Sequence, residues 1–174
     1  MASILNVDQI RNAAGTVSKI DVHSFSVAVI ADVKAQTASG GTSAANDWQD
    51  RDLNTEIFDP DGIVSIASNQ FTLGAGTYII EFAAPAYKAN RHVSQLYDVT
   101  NSTAVENGSS EYANSTYNGF GYSRGFARVS ITSNTTYKIR HHTATSSTNN
   151  GLGVNSGAAS IGSTYTQVKI IKLA

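Results

Sequence analysis

Residues 71–85, FTLGAGTYIIEFAAP, give the clearest indication of the fold. A short predicted strand at residues 70–73, in which polar and apolar residues alternate, ends at the glycines of residues 74–76, which favour a tight connection. From residue 77 to residue 85 apolar side chains recur at every second position, and this period of two is typical of a β-strand. The residues predicted to face inward from this strand are Tyr78, Ile80 and Phe82.

Alternating runs of the same kind recur along the chain, at the spacing expected of a β-sandwich or barrel. Turn-forming clusters separate them: residues 59–62, DPDG, favour a β-turn, and the Ala-, Ser-, Thr- and Gly-rich residues 36–46 indicate a flexible surface loop. Helical periodicity of useful length is missing between the runs, which argues against a parallel α/β sheet. The main predicted strands are residues 26–34, 63–67, 70–73, 77–85, 92–99, 126–131, 137–142, 158–161 and 165–173.

The composition limits the classes of protein to which the chain can belong. Its 174 residues suffice for one domain, and only 14% of them are charged, so the surface owes its polarity to Ser, Thr, Asn and Gly. The net charge is −1 and no two basic residues are adjacent, which argues against nucleic-acid binding. The chain has no cysteine, and we expect neither a secretion signal nor a membrane-spanning segment.

From about Ser26 to Leu173 the chain resembles the jelly-roll superfamily of tumour necrosis factor and the complement-type globular heads. The resemblance implies an all-β fold, an antiparallel two-sheet jelly-roll sandwich over residues 23–174, preceded by a short extended N-terminal arm at residues 1–22. It also implies a homotrimer, because domains of this superfamily usually assemble about a threefold axis. The matching segments are Trp48, residues 51–54, residues 71–78, residues 91–97 and residues 165–173.

The N-terminus carries a second resemblance. Residues 3–15, SILNVDQIRNAAG, are similar to the opening of many virion proteins of tailed phages, especially tail-fibre and surface proteins of marine and cyanobacterial phages. This similarity implies a phage structural protein on the virion surface, on the capsid exterior or on the tail. The residues expected to anchor the arm to the virion are Ile4, Leu5, Val7 and Ile10.

The last predicted strand has apolar residues on both faces, with Val168 and Ile170 on one of them. This pattern fits a strand that is buried on one side in the domain core and on the other against a neighbouring subunit, although an amphipathic surface strand would also explain it. A lysine in such a strand needs a partner or an open channel. The trimer-interface candidates are Tyr165, Lys169, Ile171 and Leu173.

The groups that can support catalysis or bind a metal do not form a recognisable site. His141 and His142 are adjacent in a predicted strand, so they point to opposite faces and cannot chelate one ion within a chain, although three copies of one of them could meet at a threefold axis. Residues 59–62 lack the further oxygen ligands of a calcium loop. Glu81 is expected to form an ion pair and not to act as a catalytic acid. Its expected partner is one of Arg91, Arg124, Arg128 and Arg140.

We therefore expect a protein that is not an enzyme and uses no cofactor or metal, and two functions remain. The first is a trimeric capsid decoration or cement protein, which binds the major capsid protein or another virion protein through its arm and bridges capsid subunits. The second is the receptor-binding tip of a tail fibre or tailspike, which recognises a host surface glycan; a depolymerase is a distant third. Nucleic-acid binding and membrane insertion are not expected. The exposed recognition candidates are Tyr112, Tyr117, Phe120 and Tyr122.

Overall fold

A computed structural model describes residues 25–173, and within this range every regular element is a β-strand. Two antiparallel sheets, of five and seven strands, enclose a common core. The expected all-β, two-sheet sandwich is therefore confirmed. The predicted arm of residues 1–22 lies outside the described residues, together with the anchor candidates Ile4, Leu5, Val7 and Ile10.

The sheets are built largely from strands that are distant in the chain. In space the five-stranded sheet runs β10-β6-β12-β1-β3, and the seven-stranded sheet runs β4-β5-β11-β7-β8, with β2 beside β11 and β9 beside β7. The strands are β1 (Ser26–Lys34), β2 (Trp48–Asp50), β3 (Thr55–Phe58), β4 (Val64–Ala67), β5 (Gln70–Leu73), β6 (Gly76–Tyr87), β7 (Asn90–Asp98), β8 (Thr103–Asn107), β9 (Glu111–Ala113), β10 (Phe120–Ile131), β11 (Thr135–Thr143) and β12 (Ser163–Lys172).

The apolar core lies between the sheets, and β6 contributes its centre. The predicted inward residues Tyr78, Ile80 and Phe82 are at most 3% exposed, so the alternation identified this face correctly. From the opposite sheet come Phe71 and Tyr137, whose rings stack with their centroids 5.6 Å apart. Burial of each such side chain stabilises the fold by roughly 1.5–3 kcal/mol.

The predicted turn at residues 59–62 is also confirmed. The Gly62 N–H donates to the Asp59 carbonyl oxygen at 3.3 Å, and Gly62 adopts a left-handed φ of 63°. The Asp59 carboxylate accepts the backbone N–H groups of Ile63 and Val64, both at 3.0 Å. These two hydrogen bonds stabilise the turn by holding the residues that follow it against the Asp59 side chain.

Two predictions about extended structure were wrong. Residues 158–161 form a turn and not a strand, because Ser160 takes a left-handed φ of 63° and its N–H donates to the Gln36 side chain. The strand expected to begin at Phe126 begins at Phe120, because pairing with β6 extends as far as Tyr87. The start of this strand contains glycines and polar residues and therefore shows no strand pattern in the sequence. It is extended because it pairs with the neighbouring strand β6.

The two ends of the sandwich differ. At the terminal end, Ser26 of β1 pairs with Lys172 of β12, so the first and last described strands begin and finish side by side. At the opposite, loop end, Lys34 pairs with Ser163, and the connections at residues 35–47, 88–89, 114–119 and 144–162 gather there. The expected loop at residues 36–46 is confirmed. Its Gly40 and Ser43 N–H groups donate to the carbonyl oxygens of Gly153 and Ser147, which fix it to the loop that follows β11.

Candidate functional site

The outward side of the five-stranded sheet, which we call the five-stranded face, combines apolar and charged side chains. One row of cross-strand partners runs Phe126, Glu81, Lys169, Val29 and Phe58 across the five strands. The phenylalanines at the two ends of this row are 72% and 52% exposed. A hollow of about 580 Å³ lies along the row. Large exposed apolar side chains around a concave surface are typical of a face that contacts another molecule.

The charged centre of this row is an ion pair. Lys169 Nζ lies 3.4 Å from Glu81 Oε2, and both side chains are about half exposed, at 46% and 50%. Within the chain the partner of Glu81 is therefore Lys169 and not one of the four arginines, because the register of β6 and β12 places Lys169 directly opposite Glu81. An arginine of a neighbouring subunit remains a prediction. An exposed pair of this kind contributes only about 0–1 kcal/mol to the fold of one chain.

The four trimer-interface candidates on β12 differ in their exposure. Lys169 is exposed, while Ile171 and Leu173 are half-buried. Tyr165 is only 3% exposed, since its hydroxyl donates to the Ala38 carbonyl oxygen at 2.7 Å and Gly153 lies against its ring. Tyr165 therefore packs within its own chain, and three of the four candidates present side-chain surface to solvent.

The recognition candidates lie at or near the loop end, but they do not form one cluster. Tyr117, in the loop after β9, is 83% exposed, and Phe120 at the start of β10 is 74% exposed. Phe120 and Tyr122 line a second hollow, of about 260 Å³, together with Tyr87 and Tyr165. Tyr112 is 59% exposed and lies apart on β9.

A buried arginine ties the loop end together. Arg51 follows β2, is 1% exposed, and donates from Nε to Thr166 Oγ1 at 2.7 Å. Its Nη1 and Nη2 groups donate to the carbonyl oxygens of Pro85 at 3.1 Å and Leu152 at 2.7 Å. Burial lowers the pKa of Arg51 to about 10, so the guanidinium remains charged at neutral pH. The sequence gives no sign of this burial, because the three acceptors are far away in the chain.

Two histidines meet in the interior between the sheets. His92 Nδ1 lies 3.0 Å from His141 Nε2, and the residues are 3% and 0% exposed. Burial lowers the pKa of His92 to about 4, and burial followed by the charge of Arg51 lowers the pKa of His141 well below its usual range. Both rings are therefore neutral at pH 7, and one donates to the other.

The expectation that His141 and His142 point to opposite faces is confirmed. His141 is buried, whereas His142 is half-buried beside Trp48, with ring centroids 5.5 Å apart. The His92 contact was missed because it depends on the register of β7 and β11, which places residues 49 apart in the chain side by side. Between residues 25 and 173 no cluster of three or more His, Asp or Glu side chains could hold a metal ion.

A buried carboxyl group lies near the end of β1. Asp32 is fully buried, and burial is the largest effect on its carboxyl group, raising its pKa in spite of Lys34, whose ammonium lies 3.0 Å away. Lys34 also contacts the carboxylate of Asp52, which follows β2. The lysine therefore links two acidic groups on different segments and offsets part of the cost of burying the first.

The part of the chain that the structure describes contains no helix that could cross a membrane.

Comparison with known proteins identifies the fold. No protein-family model matches the sequence, and no curated protein matches it significantly. Among solved structures, murine APRIL is similar over 86% of this chain and 100% of its own, with a TM-score of 0.54 and 8% identity. The PRD1 vertex protein P5 is similar over 86% and 97%, with a TM-score of 0.54 and 12% identity. The globular domain of zebrafish complement 1qA is similar over 84% and 94%, with a TM-score of 0.50 and 11% identity.

These similarities confirm the predicted jelly-roll architecture. At 8–12% identity they show the fold alone, so the function has to be inferred from the surfaces of this chain.

Proposed function

We propose that this chain is a non-enzymatic structural protein of a phage virion, a homotrimer that decorates the capsid exterior and stabilises the capsid by bridging its subunits. The five-stranded face is the observation that carries the proposal. The similarity of residues 3–15 to phage virion proteins supports the location, and so does the shared fold of the PRD1 vertex protein. Bridging adjacent capsid subunits would raise the barrier to capsid opening.

The five-stranded face is the surface that we assign to the trimer. Phe126 and Phe58 supply exposed apolar area, and the neighbouring row of Ile79, Ile171 and Val27 adds half-buried aliphatic side chains. A face of this composition stabilises association when a second copy removes it from water.

The ion pair at the centre of the face suits a threefold assembly. Three copies of Glu81 brought close to an axis would repel one another if they were unpaired. Lys169 neutralises each of them within its own chain, at 3.4 Å. The hollow along this row leaves room for water around the charges, which limits the cost of removing them from bulk solvent.

The arm is the part that we propose to hold the trimer on the virion. β1 begins at the terminal end, so we propose that the arm contacts the virion from that side. A trimer carries three arms, and three weak contacts made together hold far more strongly than one. The proposed contacts are those of Ile4, Leu5, Val7 and Ile10 with the major capsid protein or another virion protein.

Analytical ultracentrifugation of the full chain at micromolar concentration tests the trimer. We expect a species of three chain masses for the native sequence and monomers for Phe126→Asp, which places a charge on the five-stranded face. The matched control is Tyr117→Asp, which changes a comparably exposed aromatic at the loop end and should leave the trimer intact. A native chain that sediments as a monomer would refute the trimer.

Capsid binding tests the role of the arm. A variant that lacks residues 1–22 should remain a trimer in solution but no longer decorate capsids, and undecorated capsids should open at lower temperature. Decoration by the truncated protein would show that the arm is not the anchor. The copy number in purified virions tests the location, because a decoration protein approaches the copy number of the major capsid protein.

The alternative function is the receptor-binding tip of a tail fibre or tailspike that recognises a host surface glycan. It is favoured by the exposed aromatics Tyr117 and Phe120, which lie at the loop end, remote from the proposed anchor. A glycan array probed with the full chain tests this function, with Tyr117→Ala and Phe120→Ala as variants that should lose binding. If the array shows no glycan binding and purified virions contain many copies of this protein, the receptor-binding function is refuted.

A further inference from the structure

The outward side of the seven-stranded sheet carries a stack of aromatic and cationic side chains. The guanidinium of Arg140, on β11, lies between two rings: its Cζ is 3.9 Å from the ring centroid of Tyr97 and 4.6 Å from that of Trp48. Trp48 belongs to β2 and Tyr97 to β7, the two strands that flank β11. We call these three residues the Arg140 stack.

A buried amide fixes the orientation of the guanidinium. Arg140 Nε donates to Gln95 Oε1 at 2.6 Å, and Gln95 is only 6% exposed. The Gln95 amide nitrogen donates in turn to Asn107 Oδ1 at 2.6 Å. The two rings and this hydrogen bond together restrict the position and the rotation of the guanidinium. Folding therefore already restricts the rotamers of this long side chain before any ligand binds, which lowers the entropy cost of binding.

The other two nitrogens of Arg140 have no acceptor among the described residues. Neither Nη1 nor Nη2 forms a hydrogen bond or an ion pair there, while Nε is the atom bonded to Gln95. The opposite residue on β2 is Asp50, whose carboxylate is held by Lys138 Nζ at 2.8 Å. Lys138 is thus neutralised, whereas Arg140 keeps an unbalanced positive charge on a rigid, half-exposed fork.

We propose that the Arg140 stack is a binding site for the carboxylate of an acidic saccharide. The parallel N–H groups of a guanidinium match the two oxygens of a carboxylate, and an orientation that is fixed in advance lowers the cost of binding. One unbalanced cation suits one carboxylate better than a polyanion. Because β11 has partners on both sides, an acidic peptide cannot pair with β11 itself as a further strand.

The flanking rings favour a sugar over a bare anion. Trp48 and Tyr97 are half-buried, and their outer edges offer apolar surface on either side of the fork. Saccharide sites commonly combine aromatic walls with a few fixed polar groups. The proposal does not depend on the virion function or on the trimer, since every residue involved lies on the sheet opposite the five-stranded face.

The chain supplies its own reporter for the experiment. Trp48 is its single tryptophan and lies directly over Arg140, so its fluorescence and its indole N–H resonance report on this site alone. We would titrate the full chain with sialyllactose and with a glucuronate-terminated disaccharide, and with lactose as the neutral counterpart. Saturable changes are expected with at least one acidic sugar and none with lactose.

Variants locate the binding. Arg140→Lys retains the positive charge but loses the fork, and it should weaken binding by about tenfold or more. Arg128→Lys, at an exposed arginine of the other sheet, is the matched control and should bind as the native chain does. If Arg140→Lys fails to fold, chemical-shift mapping on the native chain replaces it, and the perturbed resonances should centre on Trp48, Gln95 and Arg140.

Several results would overturn the proposal: no response to either acidic sugar, an equal response to lactose, or unchanged affinity in Arg140→Lys. A response of Trp48 to an acidic peptide but to neither sugar would also overturn it and would indicate a protein partner. None of these results bears on the ultracentrifugation or the capsid-binding experiments. Failure of the saccharide-site proposal is therefore distinguishable from failure of the proposed function.

Discussion

His92 and His141 share a hydrogen bond of 3.0 Å in the interior of the sandwich, where neither side chain exceeds 3% exposure. Each ring has a second nitrogen, His92 Nε2 or His141 Nδ1, that is buried without a partner. A proton added to the pair would therefore place a positive charge in an enclosed region that already holds the Arg51 guanidinium. The pair is stable only while both rings are neutral.

We predict that acid destabilises the fold through this pair. Burial lowers the pKa of His92 from 6.5 to about 4, so between these values the unfolded chain binds a proton that the folded chain excludes. The free energy of unfolding should fall as the pH drops from 6.5 towards 4, by up to roughly 3 kcal/mol for His92 alone. Urea denaturation at a series of pH values measures this slope.

His92→Gln is the variant that tests the attribution, because it removes one titrating ring and should flatten the slope. Three charged groups face the pair or lie near it. Glu111 favours protonation of His92, while the charge of Arg51 opposes it, and protonation of His142 opposes that of His141. Asp32 acts in the opposite direction, because its raised pKa favours the protonated carboxyl of the folded chain in acid. Equal slopes for the native chain and the variant would rule out the His92 contribution.

We predict that, at the loop end, substitution of Arg51 causes the largest loss of stability of any single substitution. Arg51→Met should lower the free energy of unfolding by about 3 kcal/mol, because it leaves Thr166 and two buried carbonyl oxygens without their donor. The exposed Arg91→Met, on the sheet opposite the five-stranded face, should change it by less than about 0.5 kcal/mol. Chemical denaturation of both variants measures the contrast, and equal losses would contradict the role of the buried guanidinium.

We predict that substitution by alanine lowers the free energy of unfolding more at Gly153 than at Gly62. Gly153 has a φ of 131°, and a Cβ there would overlap the Tyr165 ring, so Gly153→Ala should cost about 2–3 kcal/mol. Gly62 has a φ of 63° with open space around it, and Gly62→Ala should cost only about 1 kcal/mol of backbone strain. Thermal denaturation compares the two, and a Gly153→Ala variant as stable as Gly62→Ala would refute the close packing.

We predict that loss of the ion pair between Glu81 and Lys169 weakens trimer assembly more than it lowers the stability of the single chain. Glu81→Gln should change the stability of an isolated chain by less than about 1 kcal/mol, because both side chains are half exposed. In the proposed trimer the same substitution leaves three unpaired lysines around an axis, so the trimer should dissociate at a higher protein concentration than the native trimer does. Adding Lys169→Gln should restore assembly, as sedimentation of both variants would show. If the double variant does not assemble as the native chain does, the ion pair does not lie at the trimer interface.

The sequence predicted those parts of the fold that depend on local pattern. Alternation in β6 identified Tyr78, Ile80 and Phe82 as inward-facing, and the order of residue types in DPDG identified the turn. Residues 158–161 show the limit of this approach: an apparent alternation of small side chains has no strand to pair with and forms a turn instead.

The candidate sites were harder to predict because their contacts join distant positions. Arg51 bonds to Thr166, 115 residues further along the chain, and only the packing of both sheets brings these two together. Glu81 was recognised as one half of an ion pair, but its partner depends on a register that composition does not reveal. The exposed aromatics, by contrast, were recognised from their polar surroundings alone, and Tyr112, Tyr117 and Phe120 are each more than half exposed.

The pairing of Ser26 with Lys172 has a practical consequence for labelling and display. A fluorescent protein or epitope joined beyond β12 would emerge at the terminal end, on the side that we assign to the capsid, and would compete with attachment. A peptide inserted into residues 114–119 would stand at the opposite end, next to the highly exposed Tyr117. A particle coated with this protein would therefore present a foreign sequence outward from that loop and conceal one joined beyond β12.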